Sequence, residues 1–422
     1  MAQSGERLHR ALLQAYKQRH LNSLSWLATE PALVAAAALS TGTAPLAGLP
    51  LVVKDNIDVA GMPTSIGTAL LAEENVSRNA EIITRLQQAG AIIIGKASMH
   101  ELASGTSGLN AAQGDVLHPF LSGRVVGGSS SGSAAAVAAG IVSASIGTDT
   151  GASVRLPASF CGLIGFRPSL LRYPQQGIAP ISASRDTAGI LAQRIDEVIA
   201  LDAAISGESE LPAVTFDGLR LGVPRAHFWS GCEPAVVQAA EPVLQRLRER
   251  GVTLIEVEIA DVAELAVKAG YPMASYEMLR DLPHYLQQRG SQYSFEQLKQ
   301  AVKSPDVQAL LVDAATVSAE QYQEALSHWK PLLTARYQAV FHQHQLDGLI
   351  FPSVPLLPPL IAQANTLFRQ LIANCEPATV VGLPGISLPL AQTPNGIPVG
   401  IELQFAAGDD RRLLAAAAVL LA

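Results

Sequence analysis

The sequence predicts an α/β fold with some antiparallel pairing, and three observations carry that prediction. Helix-periodic segments are followed twice by short apolar strands, a hairpin dipeptide joins two strand patterns near the C-terminus, and 49% of the 422 residues are hydrophobic. A chain of this length and composition buries a large core. The first unit is AEIITRLQQAG, a helix closed by Gly90, followed by the buried strand AIIIG. The second is EPAVVQAAEPVLQRLRERG, a helix ended by Gly251, after which VTLIEVEI alternates as a strand. LDGLIFP reads as another core strand, and GISLPLAQTPNGIPVGIELQF as two strands joined around Asn395-Gly396. No low-complexity linker or fixed-period repeat interrupts the pattern, so a single domain over residues 1–422 is expected. Residues 206–345 are more helical and more charged than their flanks and are read as a variable region.

Composition narrows the function. A formal net charge of −7 argues against a general nucleic-acid binder, because phosphate binding needs a basic face. Cys161, Cys232 and Cys375 are isolated, form no CxxC pair and are odd in number, which suits a reducing compartment and ordinary thiols. The N-terminal MAQSGERLHRALLQAYKQRH is charged and amphipathic, without the apolar core of a signal peptide. Apolar runs such as LLAAAAVLLA fall well short of the ~20 residues that span a bilayer, so no membrane association and a cytoplasmic location are expected.

The chemistry concentrates in residues 127–159, GGSSSGSAAAVAAGIVSASIGTDTGASVRLPAS, where Ser129 and Ser153 sit in glycine-rich turns at either end of a small-residue segment. A glycine beside each serine frees the backbone and leaves room for a reacting group to approach main-chain N–H donors. A flexible Gly/Ser tether is a poor reading, because GGSSSGS runs straight into AAAVAAGIVSASIG, whose small apolar residues suit a buried helix. A phosphate-binding P-loop lacks its lysine, and GASVR around Ser153 lacks the second glycine of a nucleophile elbow. Lys54, after the apolar run in GLPLVVKDNIDVAGMPT, is the best candidate base. Desolvation at the end of a buried strand favours the neutral amine, whereas a strand-edge lysine would simply reach solvent. On position alone both readings stand.

The segment Gly127–Ala158 resembles, position by position, the signature of the amidase signature family of serine amidohydrolases, with weaker similarity through AGAIIIGKASMHELASG, GLPGISLPLA and PVGIELQF. The resemblance implies a large mixed twisted sheet with helices on both faces. It also implies a triad in which Ser153 is the nucleophile, Ser129 the bridging serine after a cis Gly128–Ser129 bond, and Lys54 the terminal base. The separation of 24 residues (153 minus 129) matches the family motif, so Ser130, Ser131 and Ser133 are not the bridge. The oxyanion would be held by backbone N–H groups of Thr150, Gly151, Ala152 and Ser153. No metal and no cofactor are implied, and a homodimer is.

Asp149 and Arg155 are expected to form a structural pair, with Gly127, Gly128, Gly132 and Gly151 setting backbone geometry. Ala152 departs from the glycine many members carry, and its methyl would restrict φ and narrow the pocket. KASMHELASGTSGLN corresponds to an acyl-pocket segment, making Ala103, Ser104, Gly105 and Thr106 candidates for substrate contact. MHELASGTSGLN, GFRPS and GIAPIS look most like bacterial amidases of the indoleacetamide and mandelamide hydrolase type, with a small amide as substrate. Three alternatives remain. One is a hydrolase of a carboxylated urea or amide such as allophanate or malonamate, anchored by Arg124, Arg155 or Arg172. Another is the glutaminase A subunit of a tRNA-dependent amidotransferase, and the last is a non-catalytic scaffold. His100 is expected to be packed or solvent-facing, and His342 and His344 diverge on a helix and hold no metal.

Overall fold

Eleven strands hydrogen-bond into one mixed sheet in the computed structural model, which describes residues 2–28, 33 and 44–422. In chain order they are β1 (Leu24–Leu27), β2 (Pro50–Lys54), β3 (Ile92–Ala97), β4 (Ala144–Asp149), β5 (Ile164–Arg167) and β6 (Thr187–Ala192). The remainder are β7 (Arg220–Pro224), β8 (Thr253–Val257), β9 (Gly348–Pro352), β10 (Gly385–Gln392) and β11 (Pro398–Phe405). Their spatial order is β1-β3-β2-β4-β6-β5-β10-β11-β9-β7-β8. The pairs β2–β3, β2–β4, β7–β8 and β7–β9 are parallel, and the other pairs antiparallel.

Central strands buried on both sides are continuous apolar runs, as β2 and β3 show. Leu51 and Val53 of β2 point into one hydrophobic cluster and Val52 into another, which is the two-residue period of a strand with helices on both faces. On the second face the Ser131–Ala138 helix contributes Ala134, Ala135, Ala136 and Val137, all without exposure, and so lies close against the sheet.

The expected elements are found, with one correction. The helix Glu81–Gln88 precedes β3, the helix Pro234–Glu249 precedes β8, and Gly90 and Gly251 take the left-handed φ values of +97° and +99° that favour glycine after a helix. β10 and β11 form the hairpin around Gly396. AAAVAAGIVSASIG, read as one buried helix, is instead a helix that stops at Ala138, a turn at Gly140, and β4 from Ala144. Small residues without polar interruption suit a helix close against a sheet and an interior strand equally. Residues 206–345 are not only helical: they supply β7 and β8 to the sheet and the helices Val262–Gln288 and Pro305–Ala314. Among the described residues no helix is long and apolar enough to cross a membrane.

Candidate active site

Parallel pairing of β2 with β4 brings their C-terminal ends together, and with them Lys54 and Thr148. Lys54 Nζ lies 2.7 Å from Thr148 Oγ1 and 2.8 Å from Ser129 Oγ, with no exposed surface. Asn56 Nδ2 donates to the same Thr148 oxygen at 3.1 Å. Burial pushes the Lys54 ammonium down to about 7, although the negative charges of Asp149 and Asp186 oppose the shift. A large neutral fraction near neutral pH makes this amine a competent proton acceptor.

Ser129 follows a cis peptide bond with Gly128 and precedes the Ser131–Ala138 helix. Gly128 is required for space: a Cβ there would stand 2.8 Å from Gly108 N. Of the neighbouring serines, Ser130 Oγ bonds the Thr148 carbonyl at 3.2 Å and Ser133 Oγ the Ile146 carbonyl at 3.3 Å, while the buried Ser131 Oγ has no hydrogen-bond partner among the described residues. Among the described residues, Ser129 is the serine whose hydroxyl contacts Lys54.

After β4 the chain turns through Thr150–Ser153 into the helix Arg155–Cys161. Asp149 fastens this turn. Its carboxylate accepts from the Val154 N–H at 3.1 Å and from Arg155 Nε and Nη2 at 3.1 and 3.2 Å. Burial by itself raises the Asp149 carboxyl, but Arg155 and Arg167 outweigh it and hold it below the ordinary carboxylate range. Arg155 Nη1 also donates to Glu402 on β11 at 2.6 Å, so the expected pair is part of a buried triad of charges. The N–H groups of Gly151, Ala152 and Ser153 make no hydrogen bond to another described residue.

Thr150 to Ser153 form one wall of a cavity of about 430 Å³. Ala103, Ser104, Gly105 and Thr106 line the same cavity. Leu102 and Ala103 both adopt left-handed φ, +53° and +56°, a backbone feature no residue type announced. Gly105 is small because the His100 ring packs on it, with Nε2 2.1 Å from where a Cβ would stand. His100 is fully buried, 3.1 Å from Asp306, which meets the expectation of a packed histidine.

Three proposed carboxylate anchors do not reach the cavity. Arg124 is held by the Pro358 carbonyl, Arg172 by Asp202 and Glu208, and Arg155 lies behind the loop on Asp149 and Glu402. Arg185 and Arg369 line it instead. Arg185 Nη2 is 3.3 Å from Glu376 and 2.9 Å from Thr379 Oγ1, while Nη1 donates to the Gly270 carbonyl at 2.7 Å. Apolar lining comes from Met278 and Leu310, which pack in one cluster with Ala103, and from Phe368 and Ile372, which pack in another with Ala152. These residues come from helices distant in sequence, and their spacing carries no sign of a shared pocket.

The family model for Amidase matches residues 7–414. The chain belongs to the amidase family. It is similar to the indoleacetamide hydrolase of Allorhizobium ampelinum, 38% identical over 387 residues that cover 89% of this chain and 84% of that protein. The mandelamide hydrolase of Pseudomonas putida is 38% identical over 396 residues, covering 88% and 78%. In structure the chain is similar to the peptide amidase of Stenotrophomonas maltophilia, with a TM-score of 0.86, 26% identity, and 99% and 93% covered. This amidase is therefore an amidohydrolase of carbon–nitrogen bonds other than peptide bonds, on the mixed-sheet fold its sequence implied.

Proposed function

We propose that this amidase hydrolyses a small linear carboxamide to a carboxylate and ammonia through an acyl-enzyme on Ser153. The observation that carries this reading is the 2.8 Å contact between buried Lys54 Nζ and Ser129 Oγ, beneath a cavity wall that contains Ser153. Neutral Lys54 takes the Ser129 proton as Ser129 takes the proton of Ser153, whose oxygen bonds to the carbonyl carbon. The N–H groups of Thr150, Gly151, Ala152 and Ser153 hold the oxyanion, and donors of this kind are each worth about 3 to 4 kcal/mol in acyl transfer. Collapse breaks the C–N bond, the amine leaves with a proton returned through Ser129, and water cleaves the ester by the same route reversed. Asp149, Arg155 and Gly128 support the loop geometry.

The acyl group is of aryl-acetamide type. Apolar lining by Met278, Leu310, Phe368 and Ile372 supports an aromatic ring, and the names of the indoleacetamide and mandelamide hydrolases agree with it. Charge argues against a carboxylated substrate: Arg185 is already paired with Glu376, and Asp306 and Asp313 also line the cavity against Arg369. A cytoplasmic homodimer belongs to the same proposal on the family resemblance, and sedimentation tests the dimer.

Ammonia release from aryl acetamides, aliphatic amides, malonamate, allophanate and glutamine separates the substrate classes. Aryl acetamides should have the highest kcat/KM, and faster turnover of malonamate, allophanate or glutamine sinks the assignment. A fluorophosphonate should label the wild type and not Ser153→Ala.

A further inference from the structure

Asp186 stands at a junction that the triad does not explain. The register of β4 against β6 pairs Asp149 with Thr187, so the residues just beyond that pair, Thr150 and Asp186, meet across the sheet edge. Thr150 Oγ1 donates to Asp186 Oδ1 at 2.5 Å. The other carboxylate oxygen accepts from the N–H groups of Ile181 at 2.7 Å and Ser182 at 2.8 Å. Ile181 lines the cavity, as does Thr150. One carboxylate thus joins the loop that bears Ser153 to the turn that walls the pocket.

Among the described residues no cation forms a salt bridge with Asp186. Arg185 turns its guanidinium to the Gly270 carbonyl, Glu376 and Thr379, and Arg167 donates to the Arg185 carbonyl at 2.8 Å and to Asp149. Arg185, Arg167 and Lys54 are the cationic groups that feel it, with Asp149 the other carboxylate acting on Lys54. A charged carboxylate buried with three neutral donors and no salt bridge is costly, and a site that retains one gains a fixed geometry and a fixed field.

We propose that Asp186 is a positioning residue that clamps the Thr150–Ser153 loop to the Ile181–Ser182 turn and whose negative charge acts on Lys54. The proposal rests on the reading of Lys54 as the base and Ser153 as the nucleophile. Two separable consequences follow. Loop placement depends on the Thr150 hydroxyl, and the pH at which Lys54 loses its proton depends on the Asp186 charge. Burial pushes the Asp186 carboxyl up to about 6, against the hydrogen bonds from Thr150, Ser182 and Ile181, so the charge is in place over the range where Lys54 titrates. Removing it lowers the proton affinity of Lys54 further, which moves the rising limb of activity to lower pH.

The test measures fluorophosphonate labelling and phenylacetamide turnover from pH 5 to 9 in wild type, Asp186→Asn, Thr150→Val and Thr150→Ser. Thr150→Val should lower kcat about tenfold or more with KM little changed, as for loss of an aligned oxyanion donor, and Thr150→Ser should recover most of the rate. Asp186→Asn should also lose rate, and its limb should move acid-ward by about half a pH unit or more. Wild-type turnover in Thr150→Val overturns the clamp, and an unmoved or alkaline-shifted limb in Asp186→Asn overturns the electrostatic role. Should Asp186→Asn not fold, the two Thr150 variants still decide the clamp. A wild type that neither labels nor turns over refutes the triad itself, and the clamp with it.

Discussion

In the proposed mechanism Lys54 is the residue on which the chemistry turns, and its environment sets the expected pH dependence. With its ammonium pushed down to about 7 by burial, the amine is protonated and inactive below that value and neutral above it. Activity should therefore climb through about pH 7 to an alkaline plateau, and Lys54→Ala should lose about 10²- to 10⁴-fold in kcat while keeping its circular dichroism spectrum. Retention of turnover in that variant would falsify the relay. The sequence offered Lys54 two fates, strand-edge solvent or desolvated base, and only the family resemblance chose between them. Thr148 and Asn56, which hold the amine and its partner oxygen, were not legible, because they meet it through strand pairing across 94 residues and a turn. Ala152 was legible as a departure but not in its effect. Its φ lies outside the left-handed region, and its methyl joins an apolar cluster with Val125, Leu156 and Phe160 as well as the cavity. Ala152→Gly should accordingly cost stability, on the order of 1 kcal/mol by chemical denaturation, before it changes substrate choice.

At the scale of elements, the helix Val262–Gln288 runs past the cavity and places Gly270 where the Arg185–Glu376 pair approaches its backbone. A Cβ at Gly270 would meet Arg185 Nη1 at 2.9 Å, Val380 Cγ2 at 3.0 Å and Glu376 Oε1 at 3.1 Å. In an exposed helix Gly→Ala adds about 1 kcal/mol of stability. Here the opposite sign is expected: Gly270→Ala should lower the melting temperature and raise KM for aryl acetamides, and a more stable variant of unchanged KM contradicts the packing argument. Hydrophobic periodicity and terminal glycines revealed the helix–strand units and the β10–β11 hairpin, since those signals are local. The break inside AAAVAAGIVSASIG was hidden because alanine, serine and glycine satisfy a buried helix and an interior strand alike. The carboxylate anchors were misplaced for a related reason: the nearness of an arginine to the motif in sequence says nothing of which side of the loop its side chain takes.

For the whole molecule, Arg155 ties the two halves of the sheet. It bonds Asp149 at the end of β4 and Glu402 on β11, a partner 247 residues away. All three side chains are wholly buried. Removing the cation leaves Glu402 uncompensated and Asp149 with Arg167 alone, and breaking a buried pair costs about 3 to 5 kcal/mol in comparable cases. Arg155→Met should thus unfold well below the wild-type temperature, and a double variant Arg155→Met, Glu402→Gln should recover part of the loss in calorimetry. An undiminished melting temperature in the single variant would contradict this role. The strand order, with β10 beside β5 and β9 between β11 and β7, was beyond the sequence, because apolar strands of similar length are interchangeable until tertiary packing selects their neighbours. The same packing grades exposure across the three residues of the proposed triad: Lys54 and Ser129 have none, and Ser153 retains 8% at the cavity wall. A free amine with so low a proton affinity would ordinarily be the first group acylated by an electrophile. In the proposed mechanism an activated ester or carbamate entering the cavity reaches the Ser153 hydroxyl and not the buried amine, so it is sorted by access rather than by intrinsic nucleophilicity.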